Sequence, residues 1–378
     1  MPLDYETLRV IWWVLLGVLL IGFAIMDGFD LGVAMWLPWL GKTDMERRIA
    51  INSIGPVWEG NQVWFVLGGG AIFAAWPALY GLSFSGFYMA MLVVLLALIL
   101  RPVGFKYRSK LPSKSWKQFW DYALFVGGFV PALIFGVAVG NVLQGVPFYF
   151  DDSLRAFYTG TFFGLLNPFA LLCGLLSVTM LAMHGAVYLN LKTEGHLQRK
   201  AKKAAATTAI LTVILFLVGG LWILYDVDGY ALTSMLAHDG PSNPLHKIVV
   251  KKAEGWFVNY QHYPVLMTAP FIGVMGALLL PFFLRFAGFS FILSGLSLFG
   301  IIATVGVSMF PFILPSSTHP AHSLMVWDSS SSHLTLFIML VATVIFLPIV
   351  LTYTAWVYRV LRGKVTTDTI TQNTHTAY

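Results

Sequence analysis

Long apolar runs separated by short basic turns make up most of the chain. A helix rises about 1.5 Å per residue and the hydrocarbon core of a bilayer is about 30 Å thick, so runs of about 20 apolar residues predict membrane-spanning helices. Nine spans are predicted, at residues 8–38, 62–80, 83–103, 120–147, 162–191, 204–225, 264–285, 289–313 and 334–361. The pattern therefore predicts an all-α integral membrane protein.

Two longer polar stretches, 226–263 and 315–332, contain turn residues and predict loops on one side of the membrane. Asp328 or one of the serines that follow it is expected to cap the last span, and capping is the default role for these serines. The tail from Thr366 to Tyr378 is polar and is expected to be loosely ordered.

The basic residues orient the spans. With the N-terminus outside, all but five of the 23 Lys and Arg residues fall in inner loops or in the tail. This asymmetry is typical of proteins whose inner loops face the cytoplasm, and it places the C-terminus there. The five on the outer side are Arg9, Arg155, Lys247, Lys251 and Lys252.

Composition agrees with a membrane protein, because 58% of the residues are hydrophobic and only 11% are charged. The net charge of +6 follows from the basic turns, so we do not expect nucleic-acid binding. The single cysteine, Cys173, excludes a disulfide framework, and no spacing resembles a metal site, a phosphate loop or a catalytic triad. Of nine histidines only His184 falls inside a span, so a haem held by two histidines is not expected here, and a redox role requires a partner subunit.

Three acids lie at or inside the predicted inner edge of the hydrocarbon, namely Asp27, Asp30 and Glu59. A charged carboxylate near the bilayer centre costs roughly 2.5 to 3.5 kcal/mol, so a buried acid needs a partner, a proton or a water-filled cavity. One interpretation is a route for protons or substrate. The other is a helix-end cluster neutralised by Arg47, Arg48 or Arg101.

Weak internal similarity indicates a repeat. The segment 100–105 resembles 284–289 in outline, and 26–28 resembles 183–185. Because four crossings restore the starting side, spans 1–4 and 5–8 are predicted to be parallel repeats. In this alignment His184 occupies the place of Asp27, which makes it a further ionisable residue of interest.

The repeat divides the chain into three predicted parts. They are a first four-helix bundle at 1–150, a second at 151–315 that includes the outer loop 226–263, and a ninth span with a cytoplasmic tail at 316–378.

Short motifs along nearly the whole chain resemble those of subunit II of the cytochrome bd quinol oxidases. They are Ile11–Trp13, Asp27–Gly32, Glu46–Arg48, Trp58–Trp64, Ala74–Pro77, Phe84–Tyr88, Arg101–Phe105, Gly140–Asn141, Gly145–Phe148, Phe310–Phe312, Pro315–Ser317 and Leu324–Ser331. The resemblance implies two four-helix bundles plus one peripheral helix in a bacterial inner membrane. It also implies a family that oxidises quinol, reduces oxygen to water and takes protons from the cytoplasm.

In this family a similarly folded subunit I carries haems b558, b595 and d and the quinol-oxidising loop, and a small single-span subunit is often present. The resemblance therefore implies that this chain binds no haem or metal of its own, and that its contacts are with subunit I, small subunits, lipids and quinone. Some members hold a structural quinone in this subunit.

The same resemblance assigns a proton route to Glu59, Asp27 and Asp30. Glu59 stands where the family often has Asp, and Lys106 stands where an acid is expected. The residues that support this route are Trp58, Asn61, Gln62 and Arg101, with His184 as a further candidate.

Two other functions fit the same residues. A secondary transporter with parallel repeats would place acidic residues at the midplane, although the three acids are predicted to lie nearer the inner face. A scaffold that only stabilises its partner would keep the acids for structural reasons.

Overall fold

Long helices running between two ends account for most of residues 3–372, the part of the chain that the computed structural model describes. Eight helical segments in this part are long and apolar enough to cross a membrane, which confirms the predicted class of membrane protein. The helices are α1 (Tyr5–Met26), α2 (Gly28–Leu40), α3 (Asp44–Ile54), α4 (Trp58–Ala75), α5 (Pro77–Gly86), α6 (Tyr88–Tyr107), α7 (Lys114–Gln144), α8 (Pro168–Lys192), α9 (Gly195–Asp226), α10 (Val258–His262), α11 (Thr268–Phe283), α12 (Ala287–Met309), α13 (His333–Val360) and α14 (Thr367–Gln372).

Three two-stranded antiparallel sheets lie in the loops at one end of the helices, which we call the strand end. At the opposite end lie α3 and α14, and we call it the short-helix end. The paired strands are β1 (Phe148–Phe150) with β2 (Ala156–Tyr158), β3 (Gly229–Leu232) with β4 (Val249–Lys252), and β5 (Phe312–Leu314) with β6 (Leu324–Met325).

The boundary between the second and third predicted spans is wrong in detail. Helix α4 ends at Ala75, and residues predicted as its last turn belong to the separate ten-residue helix α5. Pro77 occupies the first turn of α5, where its missing N–H does no harm, whereas inside a continuous helix it would break a hydrogen bond and clash with the preceding turn. Polar residues in the first turns of α4 lower its hydropathy, and it is not among the eight apolar segments.

Glycines allow a close approach of the backbones of α2 and α8. A Cβ atom added at Gly32 would lie 2.2 Å from the Leu181 carbonyl oxygen and 2.8 Å from the Cα of Gly185. Helix α2 also packs along α7, so α2, α7 and α8 form the centre of the helix packing. This centre positions the acidic residues at the start of α2.

The two halves of the chain repeat the same neighbour relations. Helix α6 packs on α7 as α11 packs on α12, and α7 packs on α8 as α12 packs on α1. Helix α13 contacts α1 and α4 and leaves most of its surface exposed, with only 6% of its most apolar stretch buried.

The loops at the strand end differ from the predicted capping roles. Ser332 caps α13 by accepting a hydrogen bond from the N–H of Thr335, as expected for one of these serines. The default role is wrong for Ser330 and Ser331, which form hydrogen bonds with distant segments. Asp328 does not cap α13 and pairs with Lys247 instead. Asp328 and Ser330 are buried and Ser331 is half-buried, and polar groups removed from water require hydrogen-bond partners from the surrounding structure.

The predicted loose tail contains a short helix. Helix α14 packs against α3, and its Ile370 side chain is 1% exposed, so one apolar side chain anchors an otherwise polar segment. The rest of the predicted tail, residues 373–378, lies outside the described residues.

Candidate functional site

A buried ion pair joins the α1–α2 junction to α6. Arg101 Nη2 lies 2.9 Å from Asp27 Oδ1 and Nη1 lies 3.3 Å from Oδ2, so the guanidinium grips both carboxylate oxygens. The residues are 0% and 1% exposed, respectively. Arg101 also lies 5.5 Å from the centre of the Trp58 ring, a cation–π distance. The charge of Asp27 is thus compensated directly, as the neutralised-cluster interpretation expects for this acid.

Asp30 lies one turn further along the chain, in the first turn of α2, and has a different environment. Its Oδ2 accepts a hydrogen bond of 2.7 Å from Asn61 Nδ2, and the Asn61 Oδ1 accepts one of 2.7 Å from the hydroxyl of Tyr358. The carboxyl is 0% exposed. Within residues 3–372 it forms no ion pair, and its Oδ1 is buried without a hydrogen-bond partner.

Glu59 is exposed, so the expectation that all three acids are buried is wrong for this chain taken alone. It lies in the first turn of α4 beside Gly60, where an added Cβ would meet nothing within 4 Å. The neighbouring Trp58 turns inward and stacks on Phe105 at 5.2 Å between ring centres, and Gln62 is half-buried. The outward side of this turn therefore carries a carboxylate on the surface of the chain.

A second ion-pair network at the short-helix end was missed from the sequence. Asp121, in the first third of α7, is 0% exposed and lies 2.5 Å from Arg108 and 2.6 Å from Arg47. Arg108 reaches Asp44 as well, at 3.0 Å. Arg47 is thus engaged by Asp121 rather than by the acids of α2 and α4. The position of Asp121 at the edge of the predicted span 120–147 is the one feature of the sequence that could have indicated a buried acid here.

Glu46, at the start of α3, connects that helix to α9. Its carboxylate lies 2.8 Å from His196 and 3.3 Å from Lys200, and it completes a capping box with Thr43. Burial acts to raise the pKa of Glu46, but hydrogen bonds from His196, from the N–H of Lys42 and from Lys200 outweigh it and lower the pKa to about 2.

His184 is buried on α8 and bridges two neighbouring helices. Its Nε2 donates to the carbonyl of Ile25 at 2.9 Å, its Nδ1 lies 2.8 Å from the Ser294 hydroxyl, and its ring stacks on Phe291 at 4.8 Å. Both ring nitrogens are engaged, so neither is available as a metal ligand. It packs beside the turn before Asp27 but does not join the acid cluster through any of these bonds.

Buried charges at the strand end were also missed. Arg9 is 0% exposed; it donates to the carbonyls of His238 and Gly240 and to the hydroxyl of Ser330. Lys247 and Asp328 form a buried ion pair of 2.5 Å. Burial lowers the pKa of Lys247 and raises the pKa of Asp328, because desolvation disfavours both charges. These contacts join loop residues far apart in the sequence, and no sequence pattern indicates that they pair.

These contacts define a helical membrane protein with a buried cluster of acids, an arginine, an amide and a tyrosine. Across residues 3–372 no group of three His, Cys, Asp or Glu side chains could hold a metal ion. Residues 8–361 match the family described as cytochrome bd terminal oxidase subunit II, and the chain belongs to that family. The resemblance seen in the sequence is thereby confirmed.

Relatives match over all or nearly all of their length. The chain is 51% identical over 378 residues to "Probable cytochrome oxidase subunit 2" of Haemophilus influenzae, covering 100% of both chains. It is 50% identical over 378 residues, with the same full coverage, to "Cytochrome bd-I ubiquinol oxidase subunit 2" of Escherichia coli K12. A relative from Bacillus subtilis, "Cytochrome bd ubiquinol oxidase subunit 2", is 31% identical over 373 residues, covering 95% of this chain and 97% of the relative.

A solved structure has the same fold. A chain in the bd oxidase from Geobacillus thermodenitrificans aligns with a TM-score of 0.70 at 17% sequence identity, covering 94% of this chain and 98% of that one. At this identity the likeness supports the helix arrangement only.

Proposed function

We propose that this chain is the haem-free second subunit of a quinol:oxygen oxidoreductase that oxidises ubiquinol and reduces oxygen to water. Family membership and the names of the full-length relatives support this function. The haems belong in the proposed partner, subunit I, which supplies the redox chemistry. His184 fits this assignment, because both its ring nitrogens are engaged and it offers no axial ligand.

The proposed architecture is nine spans in two four-helix bundles with one peripheral helix. The bundles occupy residues 1–150 and 151–315, and residues 316–378 carry the ninth span, the peripheral helix α13. Helix α4 is the second span and brings the eight apolar segments to nine. Repeated neighbour relations between the halves support the bundles. The excess of basic residues in one set of loops supports an outer N-terminus and a cytoplasmic C-terminus, in a bacterial inner membrane.

Apolar surface supports the proposed partners. Side chains on the outer face of α6 are widely exposed, for example Leu96 at 59% and Ile99 at 57%, and α13 is exposed along most of its length. These faces meet subunit I, a small single-span subunit, lipid or a structural quinone in the proposed complex. Only lipid or a partner chain can shield such an apolar surface from water.

Within the complex we assign this chain a role in proton delivery from the cytoplasm. The environment of Asp30 carries the proposal: the carboxyl is fully buried, has no cation partner among the described residues, and keeps one oxygen without a hydrogen bond. A buried carboxylate without a cation partner is costly, and binding a proton relieves that cost, so this group is suited to take up a proton. Asp27 and Arg101 form an ion pair with no net charge beside Asp30.

Glu59 is the proposed accessible member of the route. It lies on the same helix as Asn61, the residue that bonds Asp30, and its side chain points away from the chain. A carboxylate there is placed to pass protons between water or the partner subunit and the buried cluster. The transporter alternative is set aside, because the family and full-length relatives are oxidase subunits and the cluster lies towards the short-helix end.

The substitution Glu59→Gln tests this route. It should slow oxygen consumption by the assembled oxidase roughly 10- to 100-fold, because an amide does not exchange protons in this pH range, while yield and haem spectra stay unchanged. Asp30→Asn should have at least as large an effect. Turnover is measured as oxygen uptake with reduced ubiquinol, and charge separation with a voltage-sensitive dye.

Asp152→Asn serves as the matched control, because Asp152 is an exposed acid at the strand end. It should leave turnover unchanged. Normal turnover and normal charge separation in Glu59→Gln would place the route elsewhere. If variants of Asp27, Asp30 and Glu59 all turn over at the wild-type rate, the chain acts only as a scaffold that stabilises its partner.

A further inference from the structure

Tyr358, near the end of the peripheral helix α13, reaches the acid cluster through a single amide. Its hydroxyl donates to Asn61 Oδ1 at 2.7 Å, and Asn61 Nδ2 donates to Asp30 Oδ2 at 2.7 Å. Tyr358 is half-buried, while Asn61 and Asp30 are 2% and 0% exposed. The three side chains thus form a line from the chain surface to the buried carboxyl.

The direction of these bonds follows from the chemistry of an amide. The oxygen of Asn61 accepts and its nitrogen donates. While the Tyr358 hydroxyl holds the oxygen, the NH₂ group faces Asp30. An N–H donor on a carboxylate favours its ionised form, so this arrangement assists proton release from Asp30. Without the hydroxyl, the amide is free to turn its oxygen towards a protonated Asp30.

Tyr358 is not itself a proton donor to Asp30 in this arrangement. The amide between them neither gains nor loses a proton at ordinary pH, so it interrupts any direct transfer. The hydroxyl therefore acts on the carboxyl only through the orientation of Asn61. That makes Tyr358 a positioning residue.

Other ionisable groups near Asp30 do not take this role. Asp27 and Arg101 interact with Asp30 electrostatically, but they bind each other with both carboxylate oxygens engaged. Tyr188 also lies within electrostatic range, but its hydroxyl donates to the Ser53 carbonyl at 3.0 Å. Asn61 is thus the one side chain that hydrogen-bonds Asp30 within residues 3–372.

The end of α13 is fixed, which gives Tyr358 a defined position. Lys192, the last residue of α8, donates from Nζ to the carbonyls of Leu361 and Gly363 just after α13. The Lys192 carbonyl accepts from the N–H of Val365 at 2.8 Å. A lysine at this point satisfies carbonyl groups that a helix end leaves free.

We propose that Tyr358 positions Asn61 so that its amide N–H stays on Asp30, and thereby sets the pH at which this carboxyl releases its proton. The inference extends the proton route of the proposed function to a third helix. It makes the peripheral helix part of the proton machinery and not only a structural addition.

Infrared spectroscopy of the purified complex tests this role directly. The carboxylic C=O band of Asp30 is assigned by its loss in Asp30→Asn and followed with pH. In Tyr358→Phe the band should persist to higher pH, by about half to one pH unit, because one donor to the anion is weakened. The pH profile of oxygen uptake should move in the same direction by a similar amount.

Two comparisons make the test specific. Tyr353→Phe is the matched control, since Tyr353 lies on the same helix at 64% exposure, and it should change neither the band nor the profile. Asn61→Leu removes the donor itself and should shift the band at least as far. Adding Tyr358→Phe to Asn61→Leu should then shift it no further.

The inference is overturned if the Asp30 band in Tyr358→Phe titrates as in wild type, or if the shifts of Tyr358→Phe and Asn61→Leu add. It is equally overturned if Asp30→Asn removes no titrating band. The infrared result does not depend on turnover, so it stands apart from the proton route. If Asp30→Asn removes the band but leaves oxygen uptake normal, the route fails and the positioning role is still decided by the band.

Discussion

At the scale of single residues, two aspartates three positions apart have opposite environments. Asp27 is gripped by Arg101 with both oxygens, whereas Asp30 has one amide donor and one bare oxygen. A carboxylate paired with a cation can stay charged in the interior, whereas an unpaired one is tolerated chiefly in its protonated, neutral form. We therefore propose that Asp27 serves structure and that Asp30 is the residue that exchanges protons.

Removing the partner of Asp27 should be costly. Arg101→Leu leaves a buried carboxylate without a cation and should reduce the stability of the complex by about 3 to 5 kcal/mol. The measurement is thermal denaturation of the purified complex, followed by loss of the haem spectrum. The double variant Asp27→Asn/Arg101→Gln, which removes both charges, should recover part of the loss.

Arg285→Leu gives the matched control for that experiment, because Arg285 is exposed and packs over the ring of Phe286. It should cost much less. Equal losses in Arg101→Leu and Arg285→Leu would show that the buried pair contributes no special stability.

At the scale of elements, the crossing of α2 and α8 sets the position of the acids. The backbones meet at Gly32 and Gly185, so the start of α2 is held against the centre of the molecule. Small residues at such crossings allow close packing between membrane helices. Any side chain there must push the helices apart.

Gly32→Ala should destabilise the complex by about 1 to 3 kcal/mol, because its methyl group would meet backbone atoms that cannot turn away. The readout is the denaturation midpoint in detergent. Gly69→Ala, in α4, is the control: nothing lies within 4 Å of an added Cβ, and alanine is the better helix former. A Gly32→Ala complex as stable as wild type would contradict the role of this crossing.

The sequence predicted the long helices well because their apolar length is a local property. The boundary at α4 is misplaced because the apolar pattern continues past Ala75 and hydropathy does not register the break that Pro77 introduces. The exposure of Glu59 and the pairing of Asp121 with Arg108 depend on how helices rotate against each other. Periodicity in one apolar run does not contain that information.

The site divides in the same way. The cost of a charge in a membrane makes Asp27 and Asp30 candidates and Arg101 a possible partner, and the structure brings the three together. Tyr358 was not singled out, because a tyrosine near the end of a span is ordinary and its partner lies on a helix about 300 residues earlier. Contacts over such separations require the fold.

At the scale of the whole molecule, one carboxylate at the short-helix end joins the two halves of the chain. Glu46 belongs to the first half, and its partners His196 and Lys200 begin α9 in the second. Because the pKa of Glu46 in the folded chain, about 2, lies below its ordinary value of 4.5, its contribution to stability is complete above pH 4.5. That contribution is lost as the pH falls towards 2.

Glu46→Gln should therefore weaken the loss of stability that wild type shows as the pH falls below about 5. The denaturation midpoint of wild type should drop between about pH 5 and pH 3, since Glu46 then takes up a proton on unfolding, and the variant should drop less. Glu254→Gln, a change at an exposed residue of the strand end, should follow wild type. Parallel curves for wild type and Glu46→Gln would contradict the linkage.

The buried charges of the strand end have a consequence for biosynthesis. Arg9 is synthesised well before its acceptors at His238, Gly240 and Ser330, and Lys247 is synthesised before its partner Asp328. Since synthesis proceeds from the N-terminus, Arg9 lacks its carbonyl acceptors until residue 240 has been made and its hydroxyl acceptor until residue 330 has been made. The contacts of this end therefore require residues 328 and 330, and a nascent chain that stops before residue 328 cannot form them.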